Sequence, residues 1–281
     1  MNAPQSFIDL LYSADCSQDY IGMGNPNAHI LIIGREPMHD LNNKDEREKQ
    51  IAIENYYQDQ ELNRINWINL IEGHAVKGRC NPRHPFPNQK YQCRRRLKKS
   101  QNNDEAFIGK DGTAQTWFNY QKLVDAMLGR NARSSDDLID FHDYCFHTDI
   151  SSASAKNILT VDKRAKMISV EKRSRELFSH PFFRQFPIII LAIGTDLGPN
   201  KYIPENWCEK VLDFPGIEVE RIMSNETNGK HRWLNINRDS KGCRILIHTQ
   251  SLSQTSNAYI DKIREVICRD GFTDDCWPKE Y

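Results

Sequence analysis

Three polar residues that follow apolar runs are the best candidates for chemistry in this chain. Glu36, Asp149 and His248 each stand at or just beyond the end of such a run. A carboxylate can orient a water or stabilise a cation, and an imidazole can hydrogen-bond a developing anion or exchange a proton. Arg35 and His39 flank the first carboxylate. The alternative interpretation at that position is an ordinary solvated turn after a strand.

The elements that must position these residues alternate along the chain. Apolar runs predict strands at 28–34, 144–149, 187–194 and 243–248. Helical spacing of apolar residues predicts helices at 6–13, 116–129, 174–184 and 255–269. This alternation predicts an α/β fold with a single doubly wound sheet of about four mainly parallel strands flanked by helices, in one domain over 1–281. Parallel strands end at one edge of a sheet, so the three polar residues are expected to converge there. A strand pair around 225–229 is left open.

A long polar insertion is predicted after the first strand, at approximately 42–115. Long segments of this kind are often functional, and its part at 78–92 is rich in Pro and Arg. Its most distinctive feature is a compact basic run, Arg94-Arg95-Arg96-Leu97-Lys98-Lys99. Such a run can bind the phosphates of DNA, and it can also be an ordinary solvated face.

Composition restricts the class of protein. Lys plus Arg and Asp plus Glu both number 38, so no overall field attracts the chain to nucleic acid or to a membrane surface. No apolar run approaches the roughly 20 residues that span a bilayer. The eight cysteines are scattered, which favours reduced thiols over a disulfide framework. These features predict a soluble cytoplasmic protein with no membrane partner.

Two short motifs carry a resemblance to a known family. Residues 34–39, Gly-Arg-Glu-Pro-Met-His, resemble the Gly-Gln-Asp-Pro-Tyr-His motif of uracil-DNA glycosylases. Residues 248–253, His-Thr-Gln-Ser-Leu-Ser, resemble their His-Pro-Ser-Pro-Leu-Ser motif. Their order, separation and strand context also agree. The resemblance implies the uracil-DNA glycosylase-like fold, a DNA partner and a monofunctional glycosylase that flips out a pyrimidine and hydrolyses its N-glycosidic bond with water.

The resemblance also implies roles for individual residues. Glu36 would stabilise the cationic sugar and orient the water, and His248 would hydrogen-bond the departing base. Leu252 would fill the space left by the flipped nucleotide. The full set of expected site residues is Glu36 and His248 for catalysis, Arg35, Met38, His39 and Asp149 for base binding, and Ser251, Leu252 and Ser253, with the five basic residues of 94–99, for DNA. The alternative interpretations are a solvated Glu, a core His and a Leu that begins a helix.

Departures from the family pattern bear on specificity. Glu36 replaces an Asp, and Met38 replaces a Tyr that crowds the C5 edge of the pyrimidine, so a C5 substituent would be tolerated. Asp149 stands near the place of a base-reading Asn. An ionised Asp only accepts hydrogen bonds, which suits the amine of cytosine better than the O4 of uracil. These substitutions favour a modified, C5-substituted cytosine-type base, with uracil as the other option. Asp149 could instead cap a helix or turn.

No cofactor is expected. His74, Cys80, His84 and Cys93 are residue types that bind metals, but their spacing matches no familiar zinc module. An iron–sulfur cluster is not expected, since the chain has no Cys-x-x-Cys pair. The motifs contain no Lys, so no Schiff-base lyase activity is indicated. Two competing interpretations stay open: a catalytically inactive glycosylase-like protein that binds DNA or a modified nucleotide, and a hydrolase of small nucleosides.

Overall fold

The computed structural model describes residues 1–35, 58–93, 95–96, 107–108, 112–130, 133–153, 163–198, 201–215, 220–225, 231–250, 252 and 255–272. The helices are α1 (Gln5–Tyr12), α2 (Asn63–Ile71), α3 (Gln115–Met127), α4 (Phe141–Tyr144), α5 (Lys163–Arg173), α6 (Pro181–Arg184), α7 (Trp207–Leu212) and α8 (Asn257–Arg269). A π-helical turn, Ser174–Phe178, extends α5.

The strands are β1 (Met23–Gly24), β2 (Ile30–Gly34), β3 (Lys90–Cys93), β4 (Arg95–Arg96), β5 (Phe107–Ile108), β6 (Gly112–Thr113), β7 (Cys145–Asp149), β8 (Ile188–Leu191), β9 (Glu220–Asn225), β10 (His231–Arg238) and β11 (Ile245–Thr249). Seven of them form the main sheet in the order β1-β7-β2-β8-β11-β10-β9. The four inner strands, β7, β2, β8 and β11, are parallel. They are the four strands that the apolar runs predict, and the α/β class with a mainly parallel sheet is confirmed.

The predicted strand count of about four is too low for the whole sheet. At one edge β1 pairs with β7 in the antiparallel sense, and at the other edge β11, β10 and β9 form an antiparallel series. Apolar runs do not predict β10, because this strand mixes polar and apolar residues. Such a mixture is typical of an antiparallel strand with one solvated face. The strand pair left open around 225–229 is β9 and β10.

Helices cover both faces of the sheet, as a doubly wound fold requires. Successive residues of β2 enter two separate cores, Leu31 and Ile33 on one face and Ile30 and Ile32 on the other. The first core takes residues from α1, α2, α6 and α7, and the second takes residues from α3 and α8. The inner strands are therefore buried on both sides, which explains their continuous apolar sequences.

Part of the predicted insertion packs onto the sheet domain. Trp67 of α2 is fully buried in the first core, and its Nε1–H donates to the Gly22 carbonyl at 2.8 Å. Asn63 also binds the Gly22 main chain, through its amide nitrogen at 3.0 Å to the carbonyl. No helix in the described ranges is long and apolar enough to cross a membrane.

The order of the inner strands reverses once within the sheet. In chain order they are second, first, third and fourth, so the connections leave β2 and β8 in opposite directions. In open α/β sheets, ligands bind beyond the carboxyl ends of the strands where the order reverses in this way. In this protein the reversal lies between Gly34, at the end of β2, and the segment after Leu191, at the end of β8.

Candidate active site at the carboxyl edge of the sheet

A charge cluster lies at the reversal of strand order. Arg35 follows β2 directly, and its Nε and Nη2 donate to Asp196 Oδ2 at 3.0 and 2.7 Å. Lys166 of α5 donates from Nζ to the same oxygen at 3.0 Å, and it also lies over the ring of Tyr202. Lys166 and Asp196 are both buried. A single carboxylate oxygen of Asp196 thus accepts hydrogen bonds from two cations.

The short turn that carries Asp196 also contacts the last inner strand. This turn, Gly194–Asp196, is a single 3-10 turn after β8, and Gly194 adopts a left-handed φ of 66° that favours glycine. The Gly194 carbonyl lies 2.8 Å from Nε2 of His248, near the end of β11. The Gly194–Asp196 turn therefore links Arg35 of the first motif to His248 of the second.

The hydrogen bonds of His248 define its tautomer. Nε2 must donate to the Gly194 carbonyl, since a carbonyl only accepts. Nδ1 then accepts from the side-chain amide of Asn235 on β10, at 3.5 Å. The Trp233 ring packs edge-on against the imidazole with centroids 4.8 Å apart. These contacts fix the imidazole in one orientation.

The protonation state of His248 follows from its burial. Removal from water lowers the pKa of His248 to about 4, against the opposing effects of the Gly194 carbonyl and the Asp196 carboxylate. At neutral pH the imidazole is uncharged, so it can act as a hydrogen-bond donor but not as a charged acid. A ligand oxygen that binds Nε2–H would replace the Gly194 carbonyl as its acceptor.

Asp149 lies at the carboxyl end of the neighbouring strand. A Cβ atom at Gly34 would overlap Asp149 Oδ1, so this carboxylate sits against the end of β2. His147 Nε2 lies 3.5 Å from the same oxygen. The charge of Asp149 also acts on the buried Tyr120. Burial raises the pKa of the Tyr120 phenol, and the negative charge of Asp149 raises it further. Asp149 and Arg35 therefore lie at the same end of one parallel strand pair, that of β2 and β7.

A fully buried arginine fixes the end of β7. Arg173 donates from Nε to the Asp149 carbonyl at 3.0 Å and from Nη2 to Thr148 Oγ1 at 2.9 Å. Its Nη1 donates to the Tyr20 carbonyl at 2.7 Å. The guanidinium holds the main chain of Asp149 and leaves its carboxylate to other contacts. Arg173 is a positioning residue for this strand end.

An open groove of about 480 Å³ lies beside the end of β7. Its lining includes Gln18 and Tyr20 of the N-terminal segment, Ser152 after β7, and Ser169 and Lys172 of α5. Gln18 and Tyr20 also bind Arg173. Arg173 thus binds two residues that line the groove and also the main chain at the end of β7.

Three of the predicted site residues, Arg35, Asp149 and His248, are brought to the same edge of the sheet. Arg95 and Arg96 form β4, which pairs with β5 in a separate two-stranded ladder. The remaining predicted residues lie outside the described ranges: Glu36, Met38, His39, Arg94, Lys98, Lys99, Ser251 and Ser253.

The position of Leu252 corrects the predicted wedge. Its side chain is 2% exposed and belongs to the second core, and its carbonyl accepts hydrogen bonds from Asn119 and Thr255. A wedge must project into the duplex, and a leucine in this position contributes to the core instead. Leu252 anchors the loop between β11 and α8.

The four residues of the insertion whose side chains could bind a metal, His74, Cys80, His84 and Cys93, do not form one cluster. His74 lies beside Glu72, and the Cys93 thiol donates to Gln115. Burial raises the pKa of the Cys80 thiol to about 11, which disfavours the thiolate that binds metals. His84 lies instead with His142 and Asp143.

Several site residues had not been identified from the sequence. Asp196 could have been found, because Gly194-Thr195-Asp196 follows the strongest apolar run as Gly34-Arg35-Glu36 follows the first one. Lys166 and Arg173 gave no such signal, since cations in a helix normally indicate a solvated face. Asn235 lies on a strand that the apolar pattern did not define.

No model of a known protein family matches this chain, and no curated protein matches it. The residues at the carboxyl edge of the sheet are therefore the basis for an assignment of function.

Proposed function

We propose that the protein is a monofunctional DNA glycosylase of the uracil-DNA glycosylase type, which flips out a pyrimidine and hydrolyses its N-glycosidic bond. The proposed base is a C5-substituted cytosine, with uracil as the other option. The observation that carries this proposal is the Gly194–Asp196 turn, which binds Arg35 of the first motif and His248 of the second. One residue from each motif, more than 200 positions apart in the sequence, thus binds the same turn.

The chemistry of glycosidic cleavage suits these residue types. As the bond breaks, the sugar gains oxocarbenium character and the departing base gains negative charge. Glu36, the residue after Arg35, is proposed to stabilise the sugar cation and orient the attacking water. The neutral His248 is proposed to donate a hydrogen bond to the base, with Asn235 and the Trp233 ring holding the imidazole in place. In this role the base oxygen replaces the Gly194 carbonyl.

Base selection is assigned to Asp149 and Met38. The Asp149 carboxylate, held against Gly34, can accept from the exocyclic amine of a cytosine. Met38 is proposed to accommodate the C5 substituent through its flexible thioether. Arg35 is bound to Asp196, so we assign it a positioning role in place of a direct contact with the base.

DNA contact is assigned to the basic run at 94–99, which offers five cations to phosphates. The groove beside β7 is proposed to accept chain flanking the flipped nucleotide. Leu252 has no part in this proposal, because its side chain belongs to the core.

Substitution of Glu36 tests the proposal. We expect Glu36→Gln to form abasic sites about 10²- to 10⁴-fold more slowly than wild type. The substitution removes the negative charge that is proposed to stabilise the sugar cation and orient the attacking water. Binding of the same oligonucleotide should change little. The measurement is strand cleavage at abasic sites after alkaline treatment, with fluorescence anisotropy for binding.

The matched control is Glu265→Gln, on the exposed side of α8, which should retain wild-type activity. Equal activity of Glu36→Gln and wild type would contradict the proposed role of this carboxylate. Binding by wild type without abasic sites in any substrate would favour the inactive, DNA-binding interpretation.

A further inference from the structure

A second cluster of ligating side chains lies at the opposite end of β7 from Asp149. His142 and Asp143 belong to α4, which leads into the first residue of β7, and His84 belongs to the preceding insertion. One potential ligand atom from each of the three side chains lies within 4.8 Å of the others. The two imidazoles face each other edge to face, with ring centroids 5.4 Å apart and an interplanar angle of 83°.

The buried member of this cluster has an unsatisfied nitrogen. His142 is 5% exposed, and its Nδ1 has no hydrogen-bond partner within the part of the chain that the structure describes. A buried polar atom without a partner is destabilising, so such atoms are rare in folded proteins and often mark the site of a ligand or water. A bound cation would make use of a nitrogen lone pair on this ring.

The charges around the cluster are defined. Arg83 donates from Nη1 to Asp143 Oδ1 at 2.8 Å and to the His142 carbonyl at 3.2 Å. His84 Nδ1 lies 3.6 Å from the same Asp143 oxygen. Asp140 adds a more distant negative charge that acts on His142. Arg83 thus orients the carboxylate, in the way that groups around a metal ligand commonly do.

We propose that His84, His142 and Asp143 bind a divalent transition metal of the zinc class. Two imidazoles and one carboxylate are a ligand set that zinc accepts, whereas magnesium and calcium prefer oxygen ligands alone. Zinc–ligand bonds of about 2.0–2.2 Å require ligand atoms closer together than the present spacing. The half-exposed His84 ring closes this gap on binding.

The position of the cluster indicates a structural function. The main chain next to His84 is already joined to β1, because Gly24 N–H donates to the Pro82 carbonyl at 2.8 Å. Asn25 in turn donates from its side chain to the Asp143 carbonyl at 2.8 Å. A metal here would tie the insertion to the start of β7, on the far side of the sheet from His248. It would stabilise the fold without taking part in base excision.

Zinc binding by the full-length protein tests this inference. After treatment with a chelator and its removal, wild type should take up one zinc ion per chain, measured by mass spectrometry of the native protein. Its melting temperature should rise by about 5 °C when zinc is added in excess, and magnesium should give no rise. His84→Ala and Asp143→Asn should lose both effects, and His84→Ala should retain the fold because this side chain is half exposed.

The control is His74→Ala, an exposed histidine of the same insertion that lies beside Glu72. It should bind zinc and gain thermal stability as wild type does, which separates this site from adventitious binding by histidines and thiols. Failure of wild type to retain zinc would overturn the proposal, and so would equal zinc binding by His84→Ala and His74→Ala.

Discussion

We expect the His248→Ala variant to release its base about 100- to 1,000-fold more slowly than wild type. The imidazole is the hydrogen-bond donor proposed for the departing base, and it is already oriented by the Gly194 carbonyl and Asn235. A donor fixed before the reaction costs no reorganisation as charge develops, so its loss affects the rate more than the binding. Single-turnover base release and DNA affinity measure the two effects separately.

Two further variants and the pH profile make this result specific. His248→Gln keeps an N–H donor and should recover part of the rate, and His74→Ala should behave as wild type. Because the pKa of His248 is lowered to about 4, the wild-type rate should show no step near pH 6.5 due to this residue. A step there that disappears in His248→Gln would contradict the neutral-donor role. Thermal unfolding of each variant checks that the fold is intact.

The second large effect is expected from Asp149→Asn, as a change in specificity. The ratio of uracil excision to C5-substituted cytosine excision should rise by about 10- to 100-fold. An Asn amide can donate to the O4 of uracil, whereas the carboxylate can only accept from the amine of cytosine. The measurement is the single-turnover rate on two oligonucleotides that differ only in the target base.

The fold should tolerate this substitution. Arg173 binds the main-chain carbonyl of Asp149, so its hydrogen bond does not depend on the side chain. Asn is also nearly isosteric with Asp and fits against Gly34 in the same way. The matched control is Asp136→Asn, which changes an exposed carboxylate that pairs with Lys90. An unchanged ratio in Asp149→Asn would contradict the role of this residue in base selection.

The inner sheet was predictable from sequence for a physical reason. Strands buried on both faces need an apolar residue at every position, and Ile30–Ile33 and Ile188–Leu191 satisfy that requirement in both cores. The order of the strands was not predictable in the same way, since no residue in β8 specifies that it lies beside β2. The edge hairpin of β9 and β10 cannot be predicted in this way, because both strands mix polar and apolar residues.

The site residues at the ends of strands are also predictable from sequence, whereas those on helices are not. Arg35, Asp149 and His248 were found because each ends a predicted strand. Lys166 and Arg173 were missed, because a helix sequence does not reveal that a cation will be buried against a carboxylate or a carbonyl. Leu252 was assigned to DNA by its place in a motif, but burial in the second core is a property of the folded chain. Apolar runs in the sequence therefore predict where strands end, but tertiary contacts determine which side chains pack against those ends.

The most direct test of base excision identifies the released product. Wild-type protein is incubated with oligonucleotides that contain uracil, cytosine or C5-substituted cytosines, in single and double strands, and free bases are identified by mass spectrometry. The proposed function predicts a free C5-substituted cytosine together with an intact strand carrying an abasic site. Release of plain uracil alone would contradict the proposed specificity. The absence of any free base from substrates that the protein binds would contradict base excision itself.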